Sequence, residues 1–449
     1  MALIDVSDAQ VARVAEALAA AAGRAFTIPI VYPWSVQHFV ERPEAERPRP
    51  AAGRHRLYVH IPFCRYHCTF CFYAVRTGAA LSEMERYVDA LGRELEWLPE
   101  GCSIERLVVG GGTPTALPPP LLDRVLRAVF ERAAASEQSA HTLEASPDSL
   151  TGAHLDVLRA HGVGRVSIGI ESLDDAVLDT VHRRHTPAQA LAACREVSEG
   201  GLSLNVDLIY GLPSQTEDGF RRDLETIAET GADSLCLYGL RLNERTAVAS
   251  QLDPSERLDL GRVMRWRAFV AQAAEACGFV QTRPYTFKRA ATGRAWHERS
   301  ATFEQGGADL AVGMSARAQI GGAVYRNHDR NDVYMERIER GVSPVQAVFE
   351  LDAEDLRTQT IARTLGNDRP LDRRAYAAIA GASIDDHFGG TLDRLRLAGL
   401  IDDDGTSVRL TDVGRLVYDR VLQCFYPERA RGWLAAQPAT LRRERPAST

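Results

Sequence analysis

No stretch of the 449 residues approaches the roughly 18 consecutive apolar residues that a membrane-crossing helix needs, and the opening MALIDVSDAQ carries acid where a secretory leader carries base. These absences predict a cytoplasmic chain. An excess of positive charge is missing too: 53 Lys and Arg stand against 60 Asp and Glu, a formal net charge of −7. That balance argues against a nucleic-acid binder relying on a global positive field. There is no internal repeat. Five of the 8 cysteines, Cys102, Cys194, Cys236, Cys277 and Cys424, lie singly and far apart. They form no disulfide framework and read as ordinary buried thiols. With 45% hydrophobic and 25% charged residues, what remains is a globular chain long enough for two or three domains.

What is present is a regular alternation. Short β-prone runs occur at 57–61, 106–110, 141–145, 165–169, 204–209 and 234–239, with helical periodicity between them at 82–98, 118–134, 151–162, 175–184, 187–200 and 216–231. Six strand–helix units in series predict an α/β fold with a parallel sheet, wound as an open sheet or around a barrel. Residues 7–23 read as one helix, and the Pro-, Arg- and Glu-rich run 41–56 as a linker or surface loop. After Gly239 the pattern is helical at 255–277, irregular over 283–330, and helical again from Asp352. Residues 392–422 read helix, turn, strand, helix, in the manner of a winged helix, with a packing role favoured over DNA binding. The expected domains are 1–56, 57–345 and 346–428, followed by a disordered tail over 429–449.

In parallel α/β sheets ligands gather where the strands end. The first strand ends in YVHIPFCRYHCTFCFYAV, residues 58–75, which sets Cys64, Cys68 and Cys71 in a CxxxCxxC spacing. Structural zinc wants a fourth ligand, for which only His60 and His67 are near. A disulfide leaves an odd thiol. An iron–sulfur cubane held by three thiolates keeps one iron open for an exogenous ligand, and the spacing points to that. The second strand runs into GGGTPT, 110–115, whose bare backbone admits close approach of a ligand. Glu144, Glu171 and Asp207 fall at later strand ends, where buried carboxylates need partners: Arg165, Arg183 or Arg184 as plain ion pairs, or a ligand's hydroxyl and ammonium groups.

With these residues in view, the chain resembles the radical SAM superfamily and, more closely, the oxygen-independent coproporphyrinogen III oxidases and their homologues, the HemN-like family. YVHIPFC…C.FC, GGGTPT, the Glu144 strand, VSIGIES…VHRR and NVDLIYGLP match that family in order and spacing from Tyr58 to Leu240, and more loosely to Phe425. VYPW near Tyr32 is similar to its N-terminal segment. The resemblance implies a partial (βα)6 TIM-type barrel with a winged-helix-like C-terminal domain. It implies a [4Fe-4S] cluster on Cys64, Cys68 and Cys71, with S-adenosyl-L-methionine (SAM) on the open iron and a 5′-deoxyadenosyl radical as the product of its reductive cleavage. By position, Tyr58, Gly111 and Glu144 would contact one SAM, and Phe70, Gly112, Thr113, Glu171, Arg183 and Asp207 a second.

The chain also departs from the family. The oxidases resemble CxxxCxxCxC, whereas Phe72 and Tyr73 follow Cys71 here. Arg241 and Arg317 stand where the oxidases carry small or apolar residues, and read as candidate contacts to a carboxylate or other acceptor. These departures point to a two-SAM methyltransferase or cyclopropanase acting on an unsaturated or heteroaromatic small molecule in natural-product biosynthesis. The alternatives are coproporphyrinogen-type decarboxylation and haem modification or trafficking, with His55, His60 and His67 as conceivable haem ligands. A flavodoxin- or ferredoxin-type electron donor and a monomeric state complete the expectation. The catalytic acid or base is unassigned; Tyr66, Tyr73 and Glu171 are unranked candidates.

Overall fold

The structure, a computed structural model, describes residues 6–22, 40–42, 45–135, 141–242, 246–252, 258–290 and 308–436. The six apolar runs become parallel strands β1 (Gly53–Ile61), β2 (Cys102–Gly111), β3 (Thr142–Ala145), β4 (Arg165–Glu171), β5 (Ser203–Tyr210) and β6 (Ser234–Gly239), hydrogen-bonded in sequence order. Helices α2 (Leu81–Leu95), α3 (Pro119–Arg132), α4 (Gly152–Ala160), α5 (Asp175–Thr180), α6 (Pro187–Glu199) and α7 (Glu217–Ala228) follow the strands, after α1 (Asp8–Ala22). Each strand must bury one face under these helices. β1 does so with Leu57, Val59 and Ile61, leaving Tyr58 and His60 for the other face, because side chains alternate along a strand. α2 answers with Tyr87, Val88, Leu91 and Leu95 at helical spacing.

The region read as irregular carries sheet as well. After α8 (Leu260–Ala276) come β7 (Phe279–Arg283), β8 (Thr286–Arg289), β9 (Asp309–Val312), β10 (Arg317–Ile320), β11 (Ala323–Asn327), α9 (Asn331–Glu339) and β12 (Val345–Glu350). β8 and β7 extend the sheet antiparallel beyond β6, while β9 joins β1 in parallel and β10 to β12 continue antiparallel. Both edges of the six-strand unit are thereby paired instead of exposed.

The C-terminal domain comprises α10 (Ala353–Leu365), α11 (Arg373–Ala380), α12 (Ile384–Leu397), β13 (Ile401–Asp403), β14 (Ser407–Leu410), α13 (Asp412–Leu416), α14 (Tyr418–Gln423) and α15 (Glu428–Ala436). Its core includes Leu365, Tyr376, Leu395, Val408 and Phe425, and is completed by Val14 and Leu18 of α1 and Met264 of α8. The N-terminal helix is thus part of the C-terminal core.

Two further expectations need correction. The run 41–56 is not a surface linker throughout: β1 begins at Gly53, and Arg47 is buried against Glu94 at 2.9 Å with its guanidinium stacked on Trp97. The tail does not begin at Arg429, because α15 holds that residue against Asp352 and Glu354 at 2.9 and 3.0 Å. The remainder of the tail, like VYPW, lies outside the described residues. Among the described residues, no helix is long and apolar enough to cross a membrane.

Candidate functional site

The end of β1 leads through Pro62 into the cysteine loop, which closes on itself where Phe63–Cys64 pairs with Arg76–Thr77 and the Arg76 amide donates to Pro62 O at 2.7 Å. The glycine loop after β2 grips it from one side: Gly112 N donates to Ile61 O and Thr113 N to Phe63 O, both at 2.8 Å. From the other side, Thr69 N donates to Val181 O at 3.1 Å and Val248 N to Thr69 O at 3.0 Å. Three thiols on a mobile loop could not hold a common group; here the backbone fixes them.

The glycines are there for proximity. A Cβ on Gly112 would lie 2.7 Å from Pro62 O and 2.9 Å from Cys64 Sγ, and one on Gly110 2.5 Å from Glu144 Oε2. Gly111 also takes a left-handed φ of 117° and gives its amide to Glu144 at 3.1 Å.

Cys64, Cys68 and Cys71 are all free thiols. Thr113 Oγ1 lies 3.5 Å from Cys64 Sγ, and Arg183 Nη1 3.8 Å from Cys68 Sγ. Burial pushes each thiol up, Cys71 to about 12, so ligation by a strongly electrophilic metal is what would remove the protons. Among the described residues no three His, Cys, Asp or Glu side chains are grouped to hold a single ion. Three thiols on one backbone-locked loop suit a cluster whose irons each take one thiolate. Of the histidines considered as a fourth zinc ligand or haem ligands, His67 is exposed on the loop, and the other two are already engaged. His60 is bonded to Tyr58 Oη at 3.1 Å and Ala74 O at 3.4 Å, and burial brings it down to about 4. His55 is held by Ala51 O at 2.8 Å and the Ala308 amide at 3.1 Å.

Beyond the loop, the carboxylates meet different partners. Burial, with the charge of Asp207, pushes Glu144 up to about 7. Asp207 accepts from Ser167 Oγ at 2.9 Å and Asn205 Nδ2 at 2.6 Å; Asn205 also donates to Ser167 Oγ and accepts from Ser234 Oγ at 2.7 Å. Ser167, Asn205 and Ser234 escaped the sequence reading. The available signal was the i, i+2 spacing of Asn205 and Asp207, two polar residues on one face of an apolar strand.

Glu171 has φ 69° at a register shift in β4, and His182 has φ 56°. Two non-glycine residues in left-handed conformations flank one ion pair, Arg183 to Glu171 at 3.6 Å, as backbone strain at functional sites often does. Although burial opposes it, Glu171 and Cys68 hold the Arg183 guanidinium above its ordinary range. Burial outweighs Arg183 at Glu171, pushed up to about 7.

The remaining sequence candidates separate. Tyr58 packs beside Ala311, Ala316 and Ala318, and Phe70 against Ile209, Leu212 and Val248. Tyr66 donates to Asp148 Oδ1 at 3.2 Å, and Tyr73 is exposed and stacked on Phe72 at 4.7 Å. Arg241, just past β6, lines a cleft toward the C-terminal domain. Arg317 opens β10, opposite Arg326 in register, with β9 between its strand and β1.

Residues 58–227 match the radical SAM superfamily. The chain is 28% identical to the heme chaperone HemW of Mycobacterium tuberculosis over 82% of its own length and 93% of the relative's. It is 27% identical to the oxygen-independent coproporphyrinogen III oxidase of Escherichia coli over 82% and 84%. The solved structure of coproporphyrinogen III oxidase (HemN) from Escherichia coli superposes with a TM-score of 0.74 and 25% identity, covering 88% of this chain and 96% of that one. The backbone-locked three-cysteine loop at the first strand end lies within the matched segment: residues 58–227 are a radical SAM domain, the chain around it is similar to the HemN-like proteins over most of its length, and the cofactors of the radical SAM superfamily are a [4Fe-4S] cluster and SAM.

Proposed function

We propose that this chain acts on a carboxylate-bearing tetrapyrrole: abstraction of hydrogen from a propionate side chain gives a substrate radical that loses carbon dioxide and passes one electron to an external one-electron acceptor, leaving a vinyl group. The observation that carries this reading is the extent of the HemN match: it takes in 88% of the chain, so the C-terminal domain over the strand ends is shared along with the barrel. Bound at Cys64, Cys68 and Cys71, the cluster would supply one electron to SAM. The chain's own residues do the rest. Gly111 and Gly112 let the end of β2 pack directly against the cysteine loop, Glu144 and Asp207 offer acceptors to ammonium and hydroxyl groups, and Arg183 offers a cation to a carboxylate. A flavodoxin- or ferredoxin-type donor would deliver the electron to a monomer whose barrel spans 57–345 and C-terminal domain 346–428. Anaerobic incubation of the cluster-loaded protein with SAM, reductant, a one-electron acceptor and coproporphyrinogen III should give a vinyl product together with 5′-deoxyadenosine. Absence of the vinyl product ends this reading. Stoichiometric haem binding without SAM consumption would speak instead for haem handling.

A second reading has its own observation. Stacked Phe72 and Tyr73 occupy the positions after Cys71 where the oxidases resemble a fourth cysteine, while the buried Glu171, Arg183 and Asp207 set offers polar contacts to a second zwitterion. This supports a two-SAM methyltransferase or cyclopropanase. Equal yields of 5′-deoxyadenosine and S-adenosylhomocysteine are expected; one SAM consumed per product rules it out.

A further inference from the structure

At the end of β6 the barrel and the C-terminal domain enclose a cleft that the cofactor residues leave unexplained. It is walled by Tyr238 and Arg241 beyond β6, Tyr285 between β7 and β8, and Tyr418, Asp419 and Arg420 of α14. Its volume is about 50 Å³, room for about four waters or one carboxylate- or phosphate-sized group. A whole macrocycle does not fit.

The described lining residues include three arginines, Arg241, Arg267 and Arg420, and a single acid, Asp419. Asp419 is already committed. Arg267 holds it at 2.9 and 3.1 Å, donates also to Leu416 O at 2.8 Å, and lies over the Tyr418 ring, latching α8 to α14. Nη1 of Arg420 is buried without a hydrogen-bond partner, and burial pulls that guanidinium below its ordinary range. A buried guanidinium nitrogen without a hydrogen-bond partner costs stability; an acceptor arriving from outside would repay it. Tyr238 and Tyr285 stack at 5.3 Å and 28°, an apolar wall beside the cations. The cleft adjoins the polar set, because Cys236 is in register with Asp207 and Tyr238 lies two residues further along the same face, about 7 Å on.

We propose that this cleft is a substrate subsite for one anionic arm: Arg420, with Arg241, takes a carboxylate or phosphate borne on an unsaturated ring, and the ring itself rests at the cleft mouth beside the Tyr238–Tyr285 stack. The inference rests on the enzymatic reading above and adds the substrate's chemistry. It applies to a propionate arm or to a smaller acidic ring compound.

Calorimetric titration of cluster-loaded, SAM-bound protein with isophthalate, a planar dicarboxylate, and with isophthalamide, its neutral isostere, tests it. Isophthalate should bind at least about tenfold more tightly than the amide, and Arg420→Met should lose at least about tenfold for isophthalate. Arg420→Lys should keep part of it. Arg420→Met should melt at the parent's temperature or above it, since it removes a guanidinium nitrogen buried without a hydrogen-bond partner. Equal binding of the two probes, no isophthalate binding, unchanged affinity in Arg420→Met, or a lower melting temperature in that variant would each overturn the proposal. Binding is read without turnover, so its failure leaves SAM cleavage standing. Loss of 5′-deoxyadenosine formation with binding intact would remove the enzymatic reading instead.

Discussion

The guanidinium of Arg183 stands 3.8 Å from Cys68 Sγ while its other nitrogen lies 3.6 Å from Glu171. One side chain therefore joins a thiol of the cysteine loop to a carboxylate at the end of β4. It also donates to Gly169 O. Hydrogen bonds to cluster sulfurs are among the determinants of reduction potential, and Arg183 is placed to make one.

Arg183→Met should act twice. It leaves Glu171 buried without its cation, which costs about 3–5 kcal/mol for a pair this shielded, and it removes a donor from Cys68. Chemical denaturation should show the first effect, and redox titration of the cluster-loaded protein a more negative midpoint for the second. Adding Glu171→Gln should recover stability but not the midpoint. If both recover together, Arg183 matters only as the partner of Glu171.

Two glycines give a contrast in sign. In Gly112→Ala the new methyl group meets Pro62 O and Phe63 O at 2.7 and 2.8 Å, backbone atoms that cannot turn aside, as well as Cys64 Sγ. Gly92 lies inside α2 with nothing within 4 Å of its added Cβ. Gly112→Ala should lower iron bound per chain after reconstitution and destabilise the protein. Gly92→Ala should leave iron content unchanged and stabilise by about 0.5–1 kcal/mol.

Glu144 sets a pH dependence. Burial holds its carboxyl near 7 in the folded protein, against an ordinary value of 4.5. The folded state therefore keeps a proton that the unfolded state loses over that window. Stability of the cluster-free protein should fall as pH rises from about 4.5 through about 7, by at most about 3 kcal/mol from this group. Glu171, also near 7, and the buried His60, near 4, add slopes of their own, so the difference in urea midpoint between the parent and Glu144→Gln across that range should show this group's slope. An equally steep slope in the variant would assign the effect elsewhere.

What could be read from the sequence depended on how local its cause was. β1 to β6 were legible because each strand repeats its own apolar run between turn residues. β9, β10 and β11 were not: four or five residues each, they are strands because neighbours distant in sequence pair with them. In the site, the cysteine spacing and the acids at strand ends declared themselves. Asn205 did not, because its partners Ser167 and Ser234 come from adjacent strands. Arg420 is informative only through a partner it lacks at Nη1, which no sequence pattern encodes.

Arg47 is the sharpest case of a distant cause, and it yields the last prediction. Within a run rich in Pro, Arg and Glu it looks like solvent-exposed linker, yet its ion pair with Glu94 is almost completely buried, with side-chain exposures of 4% and 1%. Glu94 also accepts from Gly313 N at 2.7 Å, Tyr334 Oη at 2.6 Å and Asn327 Nδ2 at 2.8 Å. Arg47 donates to Ala311 O at 2.7 Å. The pair thus ties the segment before β1 to α2, β9, β11 and α9. Removing only the cation strands a carboxylate in that core, so Arg47→Met should cost about 3–5 kcal/mol. Arg47→Met with Glu94→Gln should recover part of this, because the amide retains an acceptor for the Tyr334 and Gly313 donors. Urea denaturation of the two variants decides: equal losses would mean that the stacking of the Arg47 guanidinium on Trp97, and not the charge stranded on Glu94, is what the fold misses.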